Sequence, residues 1–337
     1  MELIQGLENA QLPQRPRGVC VGAFDGFHVG HQYLLSQLCA MSAERGYQSA
    51  IVTFEPIPSQ YFAPASSPAR RLITLEERIS LAASLCCEVM VILDFDDELM
   101  RWDARTFVEE VLVKRLDAKL LLASGTHTLG FDRAGLDRIT MVCREFGIEV
   151  HNSPILQLGE LKVSSSEIRQ LLWQGRVEEA GSLLGRHYGI TGTVVGGRGV
   201  GRQLGYPTAN LALPDDKLVP ADGVYAGVAY DESVPGGEHQ ACPAAISIGN
   251  APTYDLHERL IEAHLLTEMP VNVVGHTLRL EFIRRLRGQQ KFENGEALAR
   301  QIAIDVEQTR SLAEPVIQTQ GLSVAPSCAI PRANEAS

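Results

Sequence analysis

The sequence predicts an α/β protein: a parallel-sheet domain with helices on both faces, then an antiparallel β-barrel domain that ends in a helix. Three observations predict this. In the first half, short apolar runs alternate with helical patterns, as in parallel βαβ units. After Tyr188 the helical periodicity fades, and short runs rich in Val, Thr and Tyr alternate with Gly, Pro and Asp, as in antiparallel barrels or sandwiches. The length, 337 residues, suits two domains.

Residues 1–17 read as a polar lead-in carrying Pro13 and Pro16. Val19-Cys20-Val21 is the first strand, and Leu34, Leu35, Leu38 and Met41 recur at helical steps in a helix ending near Gly46. Ala50–Phe54 is the second strand, stopped by Glu55-Pro56-Ile57-Pro58, and 59–71 is a loop. Thr74 caps the next helix, which runs to Leu85, and Glu77 completes a capping box. Val89–Leu93 is a strand, Asp103–Leu116 a helix, Lys119–Ala123 a strand, Leu136–Phe146 a helix, and Glu149–His151 the last strand of this half. Ser164 and Glu167 repeat the capping-box spacing ahead of a helix bearing Ile168, Leu171 and Leu172. A short helix, Val177–Leu184, leads to a domain boundary at Gly185-Arg186. The barrel strands are Ile190–Val195, Val224–Ala229, Ala244–Ile248, Ile261–Leu266 and Thr277–Phe282. A final amphipathic helix, Gly295–Leu312, aligns Leu298, Ile302, Val306 and Thr309. Residues 315–337, which become small, polar and proline-containing from about 320, are expected to form a disordered tail.

Hydrophobic residues make up 45% of the chain, enough for a substantial core. The formal charge of −11 argues against a general nucleic-acid surface, although local basic patches could hold an anion. The seven cysteines show no Cys-x-x-Cys or metal-ligand spacing, which fits reduced thiols and a cytoplasmic location. No signal peptide and no membrane-length apolar run are visible.

Gly22-Ala-Phe-Asp-Gly-Phe-His-Val-Gly-His31 joins the first strand to the first helix. Gly22, Gly26 and Gly30 allow tight bending and close approach of a ligand to Phe24, Asp25 and the helix amides. His28 and His31 share a face at the positive end of the helix dipole. The stretch is either a phosphate site or a tight turn with two partly exposed histidines; neither Gly-Lys-Ser/Thr nor Gly-x-Gly-x-x-Gly is present. Ser164-Ser165-Ser166 ahead of Arg169 is either a well-capped helix or a second phosphate-binding terminus. In the barrel half, Gly197, Arg198, Gly199, Gly201 and Arg202 make an amide-rich, cationic loop suited to phosphate or to a hairpin connection. Thr208 and Asn210 follow, on one face if the segment is extended, where their oxygens could complete the shell of a Mg2+ held mostly by phosphates. Glu262 is a carboxylate in an apolar strand, and His264 shares its face, so a hydrogen-bonded pair is one reading of the two.

The first stretch resembles the signature of the HxGH nucleotidyltransferases, which have a Rossmann-like parallel-sheet domain. By that resemblance His28 and His31 contact a triphosphate, and Ser165 and Arg169 belong to the second phosphate-binding stretch. Gly201-Arg202-Gln203-Leu204-Gly205-Tyr206-Pro207-Thr208-Ala209-Asn210 closely resembles the riboflavin kinase signature. So do Asp222-Gly223-Val224-Tyr225, Ser247–Tyr254, Glu262-Ala263-His264-Leu265-Leu266 and Leu286-Arg287 through Phe292, all in the family's order. By that resemblance Glu262 is the catalytic base. Together the halves are similar to the bacterial bifunctional riboflavin kinase/FAD synthetase family. The resemblance implies an FMN adenylyltransferase domain over 15–185 and a riboflavin kinase domain over 186–314. The ligands it implies are riboflavin, FMN, FAD, ATP and Mg2+. The first half departs from the family pattern in three places. Ala23 replaces an Asn, Ile57 replaces a His, and Gly125-Thr126-His127-Thr128-Leu129-Gly130 is one residue short and lacks two Phe. These departures leave an alternative: a riboflavin kinase whose first domain has lost or changed its transfer activity.

Overall fold

The computed structural model describes residues 1–8, 12–64, 69–124, 128–196, 206–233, 241–250, 259–266 and 273–320. The chain divides into two compact units, the first Met1–Ser165 and the second beginning at Ser166, ahead of the Gly185-Arg186 exit.

The first unit is built on strands β1 (Glu2–Gln5), β2 (Arg17–Val21), β3 (Gln48–Glu55), β4 (Val89–Asp94), β5 (Ala118–Ser124) and β6 (Glu149–Ser153). Its helices are α1 (Val29–Arg45), α2 (Pro58–Tyr61), α3 (Leu75–Ser84), α4 (Ala104–Phe107) and α5 (Leu136–Glu145). A small hairpin, β7 (Gln157–Leu158) with β8 (Leu161–Lys162), follows. The large sheet is parallel, in the order β1-β4-β3-β2-β5-β6. Strand side chains alternate between two cores, as the pleat requires. Val19, Val21, Val52 and Val91 pack with α4 and α5, whereas Cys20, Ile51, Met90 and Leu122 pack with α1 and α3. The strand order reverses between β2 and β5, so a ligand crevice forms beyond their carboxyl ends. The Gly22–His28 loop leaves β2 at that point.

Two expectations need correction here. The polar lead-in contains β1, which pairs with β4 at the sheet edge. Of its apolar residues Ile4 is buried while Leu3 is 41% exposed, so backbone pairing rather than a buried face makes this strand. The single helix expected over 103–116 begins as α4 and continues as a π-helical stretch, Val108–Val113. Lys114 and Leu116 donate to the carbonyls five residues back, and Val108, Val111 and Leu112 are all buried.

The second unit carries α6 (Ser165–Trp173) from Ser166 onward and α7 (Val177–Leu184), then β9 (Tyr188–Val195), β10 (Ala209–Ala212), β11 (Gly223–Asp231), β12 (Ala241–Asn250), β13 (Arg259–Leu265) and β14 (Thr277–Arg287). These six strands close an antiparallel barrel in the order β10-β13-β12-β11-β14-β9. The strand added to the expected five is the four-residue β10, too short to show a period of its own. β11 is buried along its whole length, because Val228 and Tyr230 on its outer side lie beneath helix α8 (Gly295–Gln320).

Residues 315–320, expected in the tail, belong to α8. Pro315 removes one helical donor, but Leu312, Ala313, Val316 and Ile317 pack on Val228, Tyr230 and Ile283 and carry the helix across it. The rest of the expected tail, 321–337, lies outside the described residues.

Candidate active sites

In the first unit the Gly22–His28 loop folds into an anchored turn. Phe24, Gly26 and Phe27 all have positive φ, at 48°, 87° and 41°. The phenylalanines tolerate this because their rings are fully buried and stacked, with centroids 5.4 Å apart. Phe24, expected among the phosphate-binding residues, can therefore offer a ligand only its backbone. Asp25 Oδ1 accepts the Leu72 N–H at 2.9 Å and the Ile73 N–H at 3.3 Å, and the Asp25 carbonyl accepts the Ser165 hydroxyl at 2.7 Å. Asp25 thus braces the loop, a role that suits an acid better than contact with a phosphate.

The histidines meet at the start of α1. His28 is the N-cap: its Nδ1 accepts the His31 backbone N–H at 3.2 Å. In the neutral ring that leaves the proton on Nε2. The two rings stack with centroids 3.6 Å apart and planes 15° apart. Gly30 makes room for this, since a Cβ there would stand 3.2 Å from His28 Cε1 and Nδ1. Burial, reinforced by the neighbouring His28, holds the His31 imidazole well below the usual histidine range, and His31 Nδ1 is buried without a hydrogen-bond partner. A neutral, partly dehydrated His31 ring stacked on His28 at a helix N-terminus is chemically prepared to take up an anion. Gly22 and Gly26 lie in the same loop, but Gly22, expected among the phosphate-binding residues, gives its N–H to the Val52 carbonyl at 3.0 Å and so has no backbone donor left for a ligand. Ser164 and Ser165 stand at the start of α6, whose remaining residues, Ser166 and Arg169 included, count with the second unit.

Sequence reasoning missed Arg78 on α3. It is 1% exposed and donates from Nη1 to the Ala23 carbonyl at 3.1 Å, Thr53 Oγ1 at 3.0 Å and the Phe54 carbonyl at 2.9 Å. Its Nη2 pairs with Glu55, which also binds Arg71 at 2.7 Å. This buried fork fixes the backbone at Ala23. An arginine in an amphipathic helix reads as a solvated residue, and no pattern in the sequence distinguishes this one.

In the second unit the ladder puts Asn210 of β10 directly opposite Glu262 of β13, and Ser247 of β12 opposite Glu262 on its other side. Ile261 and Ala263 point into the barrel, so Glu262 lies on the outer face. Asn210 is 7% exposed, and Thr208 is half-buried two residues before it. The Glu262–His264 pair does not form. His264 Nδ1 donates instead to the Pro207 carbonyl at 2.8 Å, and its ring meets Tyr206 edge-on at 5.3 Å. Burial lowers its pKa, which keeps it neutral in that role. Gly197, Arg198, Gly199, Gly201 and Arg202 lie outside the described residues, as do residues 251–254 of the Ser247–Tyr254 stretch and 125–127 of the shortened loop. Among the described residues no three His, Cys, Asp or Glu side chains group as a metal site. No helix among them is long and apolar enough to cross a membrane.

Comparison with known proteins agrees with this two-part plan. The FAD synthetase family profile matches residues 11–167, and the riboflavin kinase profile matches 184–313. A bifunctional riboflavin kinase/FMN adenylyltransferase of Pseudomonas fluorescens is 34% identical over 317 residues, covering 94% of this chain and 99% of the relative. The Escherichia coli K12 enzyme of the same description is 32% identical, covering 90% and 96%. A solved structure from Streptococcus pneumoniae, described as a macrolide-efflux protein, is 29% identical with a TM-score of 0.82, covering 92% of this chain and 99% of that one.

Proposed function

Because the chain belongs to the family of bifunctional riboflavin kinase/FMN adenylyltransferases, we propose that it converts riboflavin to FMN and FMN to FAD, each step using ATP. The kinase step is assigned to 186–314 and adenylyl transfer to 15–185. The alternative of a kinase with a lost first activity is not favoured, since both profiles match and the relatives span both halves.

In the kinase half, Glu262 takes the proton of the ribityl 5′-hydroxyl as that oxygen attacks the γ-phosphorus of ATP, and ADP leaves. The observation that carries this reading is the register of Asn210 and Glu262, which sets a carboxylate beside an amide on one strand pair. The oxygens of Thr208 and Asn210 are hard, neutral donors. They suit a Mg2+ that takes its remaining ligands from phosphate and water, and that ion would neutralise charge on the transferred group. The loop residues Gly197, Arg198, Gly199, Gly201 and Arg202 would hold the phosphates.

In the first half, an FMN phosphate oxygen attacks the α-phosphorus of ATP and pyrophosphate leaves. His28 donates from Nε2, His31 takes up charge as the phosphates arrive, and the Gly30 amide at the start of α1 adds a backbone donor. Ser164, Ser165, Ser166 and Arg169 supply the second set of donors. A cytoplasmic setting is supported by the six described cysteines, all free thiols.

The test is a time course with riboflavin and ATP-Mg2+, with flavins resolved by chromatography. FMN should rise first and FAD should follow. FMN without any FAD would contradict the transfer step, and no flavin product at all would contradict the kinase step.

A further inference from the structure

On the outer face of the barrel, a hydrogen-bonded pair lies beside Glu262. Gln289, just past β14, donates its Nε2 to Ser247 Oγ at 3.2 Å and to the Ile248 carbonyl at 2.8 Å. Gly249 makes room for that amide: a Cβ there would lie 2.9 Å from Gln289 Nε2 and 3.2 Å from its Cδ. The backbone leading into Gln289 is anchored too. Arg287 forks onto Asp305 of α8, with Nε 3.1 Å from both carboxylate oxygens and Nη2 2.8 Å from Oδ2, and Asp305 is buried. Gln289 is thus held in place from β12 and from α8.

A serine hydroxyl has one proton and two lone pairs. Ser247 accepts from Gln289, so its own proton is left to donate. The side chain directly across the ladder is Glu262, and opposed residues in antiparallel strands have Cβ atoms about 5 Å apart. Serine and carboxylate are within reach of one hydrogen bond, which can tighten when substrate arrives.

We propose that Ser247, oriented by Gln289, is a positioning residue for the kinase reaction: it donates a hydrogen bond to the Glu262 carboxylate and aims it at the substrate hydroxyl. This rests on Glu262 as the base.

The experiment is steady-state FMN formation by the full chain at one fixed pH, for the parent protein and Ser247→Ala, Ser247→Thr, Gln289→Ala and Glu262→Gln. Ser247→Ala should lower kcat about tenfold and leave both KM values within about twofold. Gln289→Ala should lower kcat by less, again with KM little changed, and Ser247→Thr, which keeps the hydroxyl, should restore kcat. A Ser247→Ala kcat that matches the parent, with Glu262→Gln inactive, would overturn the positioning role and leave the base in place. A loss of kcat that threonine does not rescue, or one that comes with a matching rise in KM, would also overturn it, since a merely structural serine behaves that way. Full activity in Glu262→Gln would overturn the base itself.

Discussion

His28 Nδ1 accepts the backbone N–H of His31 while the two imidazoles stack 3.6 Å apart, so one residue caps the helix and orients its partner. The first bond fixes which nitrogen of His28 carries the proton. The second contact, with burial, favours the neutral form of His31. Both depend on neighbouring residues as well as on the rings themselves.

Gly30 is one of them. A methyl at that position would press on the His28 ring from 3.2 Å and on Val163 Cγ1 from 3.4 Å. In Gly30→Ala, FAD formation from supplied FMN should fall about tenfold or more while FMN formation is unchanged. Thermal stability should change little, because alanine in place of glycine returns about 1 kcal/mol of helix propensity. Comparing the two activities with a melting curve checks this. An unaltered FAD rate would show that the ring has space to move.

The low His31 pKa links stability to pH. Burial favours the neutral ring, so the folded chain resists protonation more than the unfolded chain does. The unfolded state then binds more protons below about pH 6.5, and stability is lost as pH falls from there towards the folded pKa. Melting temperatures between pH 7.5 and 5.5 should drop less in His31→Gln than in the parent. An equal drop would assign the acid sensitivity to other groups.

Arg78 holds Ala23, Thr53, Phe54 and Glu55 from a buried position. Replacing it with Met strips buried acceptors of their donor and should cost about 3 kcal/mol or more in urea unfolding. A loss below about 1 kcal/mol would mean that water or Arg71 takes its place.

Ending the chain at Glu314 removes Val316 and Ile317 from the patch over Val228, Tyr230 and Ile283. The shortened barrel should be less stable by about 1–3 kcal/mol. Unchanged unfolding would return residues 315–320 to the status of a tail.

The alternating elements were legible because strand and helix periods are written in the apolar residues: Val19-Cys20-Val21 divides between two cores, and Thr74 with Glu77 forms the capping box its spacing announces. Elements held by backbone pairing or by tertiary packing were not legible. β1 buries little, β10 has four residues, and the end of α8 survives Pro315 through contacts made across the unit. At the sites, His28, His31, Asn210 and Glu262 could be named from motifs. Of the braces around them, Arg78 carries no local signature, and Ser247 and Gln289 lie within recognised stretches that do not show their roles, because those roles arise from strand register and a buried fork.

The central claim is that the chain holds two separate reaction sites, and a complementation assay tests it most directly. Glu262→Ala should make FAD from supplied FMN but no FMN from riboflavin, and His28→Ala should make FMN but no FAD. Mixed with riboflavin and ATP-Mg2+, the two inactive-in-one-step variants should together form FAD. A mixture that yields none, although each variant keeps its remaining single step, would show that the steps cannot be divided between two copies, and a variant that loses both steps would contradict separate sites outright.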